Sequence, residues 1–412
     1  MRRTLSLNIT AALAAAAFAA STAFGFAPRP AAAATVIKIG IDLPVSGADA
    51  SIGIPTQNGA LLAIEEANAK HVLGAGTTLQ AYALDDAVQG KHDPAQGAQN
   101  VKTFIADPSV LAMIGPFNSN VAVAEIPLTN DAGLVQIAAS TTNDALTRPP
   151  NAAKLRSTHP ETNAFFRVCT VDSRQGAAGA QFARKLGFKR AFIVDDNETY
   201  GKGLADVFDA QFKALGGAVV DHEHITSNQQ DFKALLTKAR SMTPDVVFYG
   251  GTTSTGGGLV RKQMADVGLK GVAYMGGDGI GDDEFLKVAG TMANGTYYSI
   301  AAPEATRLPT AGAFVAAYKK RFNAEVGPYS ANAYAAAEIE IAAIAKAMKA
   351  DGGKVPTRAQ VLKNVAATND FETPIGKIGF DKYGDTTSPI LSLYEVKGEK
   401  KVFVNQISLK TS

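Results

Sequence analysis

Val36-Ile37-Lys38-Ile39-Gly40-Ile41-Asp42-Leu43 is a β-branched run closed by Pro44 and Gly47, and residues 59–70 then carry apolar side chains at helical spacing with charges opposite. That is a strand, a loop and a helix. The same unit recurs in residues 79–84 with 95–106 and in 110–114 with 121–131, and residues 134–138 run into a Ser/Thr loop. After Arg148-Pro149-Pro150-Asn151 and a strand expected through Cys169 (residues 166–171), the rhythm resumes. Helices are expected over 175–186, 203–215, 232–240 and 259–267, with strands at 191–194, 218–224, 246–249 and 272–275. Alternating strands and helices imply right-handed crossovers and parallel sheets covered on both faces. Two such arrays imply two lobes. From Pro309 the pattern turns helical (311–322, 331–348, 358–365), then ends in short strands near Ile378 and over 391–396. Helices without intervening strands cannot build a third α/β lobe, so they are expected to complete the first lobe and the terminal strands the second. No internal sequence repeat is evident.

The first three dozen residues read as an export signal: Arg2 and Arg3, a small apolar stretch from Leu5 to Phe24, and Ala31-Ala32-Ala33-Ala34 as a cleavage site. A membrane-spanning reading is weaker, because Ala, Ser and Thr dilute the run and a Pro-containing, Ala-rich region follows. The mature chain then starts near Thr35, free in an exported aqueous compartment, most simply a bacterial periplasm. Losing residues 1–34 removes three arginines and no acid, so Lys+Arg falls from 40 to 37 against 38 Asp+Glu, a formal charge of about −1. That balance supports neither nucleic-acid nor anionic-membrane binding. Cys169 is the single cysteine, so no intramolecular disulfide forms, and its apolar setting suits a buried thiol.

In an open parallel sheet, ligands collect beyond the carboxyl ends of strands, where loops meet helix N-termini. That rule selects few loops. Gly115-Pro116-Phe117-Asn118-Ser119-Asn120 puts Ser119 at a helix start, as a carboxylate grip or a plain N-cap. Ala139-Ser140-Thr141-Thr142-Asn143 is a donor-rich loop at the same edge, which ordinary turn chemistry also produces. In the second array, Tyr200 follows one strand, to face a ligand or to pack the rim. Asp278 follows another among glycines, to face a cation or water.

Catalysis finds little support. The glycine clusters fit neither a phosphate loop nor the dinucleotide pattern, and no nucleophile elbow or zinc-protease motif occurs. His222 and His224 share a strand face, but a surface pair is favoured over a metal site with no third ligand evident nearby, and Asp195, Asp196 and Glu198 lack calcium-loop spacing. No metal, cofactor or catalytic residue is expected.

Several pieces, in order, resemble the leucine/isoleucine/valine-binding proteins of ABC importers: Ile37-Lys38-Ile39-Gly40 through Pro44-Val45-Ser46-Gly47, Asn58-Gly59-Ala60, Asp85-Asp86, Tyr200-Gly201-Lys202-Gly203-Leu204, Asp231-Phe232, Tyr249-Gly250-Gly251 and Gly327-Pro328-Tyr329. The likeness runs over nearly the whole mature chain. It implies an α/β fold of two doubly wound parallel-sheet lobes joined by a multi-crossover hinge, the type I periplasmic binding protein arrangement, with residues 35–167 and 303–375 in lobe 1 and 168–302 and 376–412 in lobe 2. By position, Ser119, Ser140 and Thr142 fall where that family grips the α-carboxylate and α-ammonium. Asp278 falls where it sets an acid against the ammonium. Tyr200 matches a cleft tyrosine, and Ile52 and Tyr329 match positions lining the side-chain pocket. Two departures stand out: the family's second-lobe tyrosine after Gly-Gly is here Thr252 or Thr253, and a disulfide present in several relatives is replaced by Val88 or a neighbour and Asn118.

The expected function is that of a periplasmic, monomeric, non-enzymatic component that binds an amino acid, branched-chain or otherwise aliphatic, and delivers it to an inner-membrane ABC permease. The alternative is a binding protein of the same fold for an amide, urea or aromatic acid, serving transport or sensing. An acid at position 278 favours the first, since a buried ammonium needs a counter-charge.

Overall fold

The opening β-branched run becomes β1 (Thr35–Leu43), whose Ile37, Ile39, Ile41 and Leu43 side chains are fully buried. The computed structural model describes residues 35–408, so the export signal expected over residues 1–34 lies outside the described residues. β2 (Thr77–Asp85) runs parallel to β1. A small hairpin of β3 (Ala87–Val88) and β4 (Lys91–His92) follows. β5 (Val110–Ile114), β6 (Val135–Ala138) and β7 (Phe165–Arg167) complete a parallel sheet in the order β2-β1-β5-β6-β7. The second sheet places β8 (Arg190–Asp195), β9 (Ala218–His224), β10 (Val246–Gly250), β11 (Ala273–Gly276) and β12 (Thr296–Ile300) in the parallel order β9-β8-β10-β11-β12. Counted within each sheet, both read 2-1-3-4-5. The repeat that the sequence hides is therefore present in the topology.

β13 (Phe371–Thr373) and β14 (Gly376–Ile378) form a separate hairpin, while β15 (Ile390–Lys397) joins β12 antiparallel and carries β16 (Lys400–Ser408) outside it. Helices α1 (Ala50–Ala69), α2 (Pro94–Ala106), α3 (Ser119–Asp131) and α4 (Asn151–Leu155) accompany the first sheet. α5 (Asp172–Lys185), α6 (Thr199–Ala214), α7 (Lys233–Ser241), α8 (Gly257–Gln263) and α9 (Asp283–Ala289) accompany the second. The chain then returns: α10 (Gly312–Phe322) and α11 (Ser330–Ala350) lie on α1, and α11 and α12 (Arg358–Ala366) cover β5 and β6.

Three passages between the sheets run side by side and make the hinge. The Thr170 amide donates to the Ala301 carbonyl at 2.9 Å, the Arg167 amide to the Gly384 carbonyl at 3.0 Å, and the Ser392 hydroxyl to the Ala302 carbonyl at 2.9 Å. The strand expected through Cys169 stops at Arg167 for this reason: residues beyond it leave the sheet and enter the crossing. Cys169 is fully buried, and burial raises its thiol pKa.

Other boundaries also moved. α1 begins nine residues before the expected helix, because Gly53 and Pro55 hide its first turns from any periodicity. Gly53 is needed where a Cβ would sit 1.8 Å from the Pro44 carbonyl oxygen. α8 is shorter than the helix expected over 259–267. β16 has no clean alternation, since as an edge strand it buries little on either face.

Gly115 ends β5 at φ +125°, and a Cβ there would stand 2.1 Å from the Asp42 carbonyl oxygen. Gly115→Ala is expected to cost about 1–3 kcal/mol from backbone strain alone. Urea denaturation measures it, and a midpoint equal to that of the parent would refute the strain.

Candidate functional site

The carboxyl ends of the two sheets bring most of the expected residues to one place. After β5, Ser119 is the first residue of α3, and Asn118, not Ser119, is the N-cap. The plain-cap reading of Ser119 is thereby set aside. Its buried hydroxyl oxygen lies 3.4 Å from the Asn143 amide of the next loop. After β6, the Ser140 hydroxyl donates to the Phe117 carbonyl at 3.0 Å and ties the two loops together. The Thr142 hydroxyl is fully buried, with the Asp172 carboxylate as its neighbour. Fully buried Arg167 anchors this second loop by donating to the carbonyls of Thr141 (2.9 Å) and Asn143 (2.8 Å) while pairing with Asp385 at 2.7 Å.

The second sheet supplies the opposing groups. Asp278, after β11, is 3% exposed and accepts from Gln175 Nε2 at 2.7 Å and from the Tyr200 hydroxyl at 3.0 Å. Tyr329 also hydrogen-bonds to it. Gly277 is required here, because a Cβ would lie 2.4 Å from the Tyr200 hydroxyl. Burial raises the Asp278 pKa above the usual carboxylate value, against the opposing pull of Gln175 and Tyr200. Asp172, the first residue of α5, is buried within hydrogen-bonding reach of the Thr142 side chain. Burial pushes its pKa well up against the opposing pull of Thr142, and the charges of Asp144 and Asp278 add to the rise.

Sequence reasoning missed Asp172 and Gln175, since an acid in the first turn of a helix reads as ordinary dipole complementation. Tyr329 is fully buried, receives the Ala301 amide at 3.2 Å and meets Phe117 edge-on at 5.6 Å. Ile52, in the first turn of α1, joins the same apolar cluster as Phe117 and Tyr329. Thr252 is buried as well, but its hydroxyl is engaged by Ser254 at 2.8 Å and Thr255 at 3.1 Å. It is Thr253 that reaches the Asp278 loop, its amide donating to the Gly279 carbonyl at 2.8 Å.

The lobes meet across this site. Asn143 Nδ2 donates to the Thr199 carbonyl at 2.6 Å, and Asn120 Nδ2 to Glu198 at 3.0 Å. His92, on β4, spans the gap with Nδ1 at 2.7 Å from Asp49 and Nε2 at 2.9 Å from Glu198. Burial opposes its charge, yet the two carboxylates outweigh burial and push its pKa well above the usual 6.5.

The sequence profile of periplasmic binding proteins matches residues 36–401. The chain belongs to that family. This periplasmic binding protein is 32% identical over 368 residues to the Leu/Ile/Val-binding protein BraC3 of Rhizobium johnstonii, covering 89% of this chain and 93% of that one. Its structure is similar to the leucine-binding protein LivK of Thermotoga maritima, with a TM-score of 0.78 at 27% identity over 90% of this chain and 98% of that one. It is also similar to LivJ of Streptococcus pneumoniae solved in complex with isoleucine, with a TM-score of 0.76 at 26% identity over 92% and 100% of the two chains. A benzoate-bound solute-binding protein from R. palustris, at 21% identity and a TM-score of 0.74, shares the fold. Among the described residues, no helix is long and apolar enough to cross a membrane.

Proposed function

We propose that this periplasmic binding protein captures an aliphatic amino acid, in the first instance a branched-chain one, between its lobes and delivers it unchanged to an inner-membrane ABC permease. Ser119, Ser140 and Thr142 hold the head group from the first lobe, Tyr200 and Asp278 close on it from the second, and Ile52 and Tyr329 wall the side chain. Asp172 and Gln175 join this set, while Thr252 shapes the second-lobe loop. The lobe limits are those expected from the chain order, 35–167 with 303–375 and 168–302 with 376–412, and the protein acts as an exported monomer. The observation that carries the reading is the buried Asp278, held by Gln175 and Tyr200 at the carboxyl end of the second sheet, which supplies the counter-charge that an α-ammonium needs and an aromatic acid does not. The curated relatives named for Leu/Ile/Val binding support the same ligand class.

A thermal-shift series against leucine, isoleucine, valine, an amide, urea and benzoate tests it. A ligand at a hundred times its Kd stabilises by about 2.7 kcal/mol, which for a chain of this size raises Tm by roughly 3–5 °C. The expected shift belongs to the amino acids. A shift with benzoate and none with amino acids would replace this reading with that of an aromatic-acid carrier.

A further inference from the structure

We propose that Asp195, His222 and His224 form a binding site for a divalent transition-metal ion of the zinc type at the outer edge of the second sheet. The site lies outside the ligand cleft set and uses none of its residues. β9 is the terminal strand of its sheet, and its two histidines, two positions apart, project from one face. Parallel pairing with β8 puts Asp195 opposite His224 in the register. The third ligand that the sequence left unassigned therefore comes from the neighbouring strand.

The atoms converge. Asp195 Oδ2 lies 2.8 Å from His222 Nε2 and 2.7 Å from His224 Nδ1, and all three ligand atoms fall within 4.8 Å of one another. The other carboxylate oxygen, Oδ1, is occupied by the Asn197 amide at 2.8 Å, which fixes the carboxylate and aims Oδ2 at the imidazoles. On the far side of His222, Nδ1 is 3.2 Å from Asp209, itself paired with Lys213 at 2.5 Å. A carboxylate on the outer nitrogen is the arrangement that orients metal-binding histidines and raises their basicity. With metal bonds of about 2.0–2.1 Å, ligand atoms stand about 3.3 Å apart, so each contact must open by roughly half an ångström. Half-exposed His224 can supply that movement and the entry path, and its open side leaves room for water or a further ligand.

Two imidazoles and one carboxylate select zinc, nickel or copper over calcium and magnesium, which take oxygen ligands. The test is zinc titration of the tag-free protein by calorimetry, with His224→Ala and His222→Gln compared, and Cu²⁺ electron paramagnetic resonance as a structural readout. One zinc per chain is expected, with affinity falling at least tenfold in either variant, no competition from millimolar calcium, and leucine-induced thermal shift retained in His224→Ala. Copper coupling to two nitrogens should become coupling to one in His224→Ala. Zinc bound equally by parent and variants, calcium displacing zinc, or an unchanged copper spectrum would each overturn the site. The zinc, calcium and copper outcomes do not depend on which ligand fills the cleft; the leucine shift alone rests on the proposed function.

Discussion

Asp278→Asn is expected to weaken amino-acid binding by about 2–5 kcal/mol, or roughly 30-fold to several thousand-fold, because it leaves a desolvated ammonium without its counter-charge. The substitution keeps the shape of the side chain and an oxygen able to accept from Gln175 and Tyr200. What it removes is a charge that burial already disfavours. The ligand-free protein should therefore keep or raise its Tm while affinity collapses. Opposite signs for stability and binding separate a ligand counter-ion from a structural acid, whose loss would lower both. Calorimetry with leucine and a ligand-free melt measure the two quantities on one preparation. Unchanged affinity would remove Asp278 from the site.

His92→Gln should cost about 3 kcal/mol of stability near pH 6, the lower end for breaking a buried charged contact, because Glu198 on the far side is partly exposed. Its effect should also depend on pH with a definite sign. The folded-state pKa lies above 6.5, so the imidazolium contribution is fully present below that value and is lost as pH rises through the raised one. Asp49 sets the acid limit. Burial opposes its charge, but the facing imidazolium lowers its pKa, so its contribution is present above about 3.8 and is lost as pH falls through the lowered value. Asp86 and Asp196 also feel the His92 charge, which eases the cost of ionising them. Parent and variant Tm curves should converge at alkaline pH and diverge towards pH 6. Parallel curves across that range would mean that His92 is not charged in the folded protein.

Elements with one periodicity and a clear closing residue were legible from the chain. β1 and the strand at 110–114 fill with buried β-branched and apolar residues, and the loops after parallel strands are where ligands gather in such sheets. Those local rules singled out Ser119, Ser140, Thr142, Tyr200 and Asp278, which the structure places buried in the loops and helix starts at the carboxyl ends of the two sheets. They did not find Asp172, Gln175 or His92, whose importance comes from partners 103 and 106 residues away for the last two.

By itself the sequence determined the α/β alternation, the two arrays and the loops at the sheet edges, since each depends on neighbours within a few residues along the chain. Only the tertiary structure decided the repeated 2-1-3-4-5 strand order, the three adjacent crossings, and which acids lose their water. A carboxylate at Asp172 or Asp195 looks like any other in the chain. Its chemistry is set by desolvation and by groups that distant strands bring within hydrogen-bond reach, and those are properties of the folded interior rather than of local spacing.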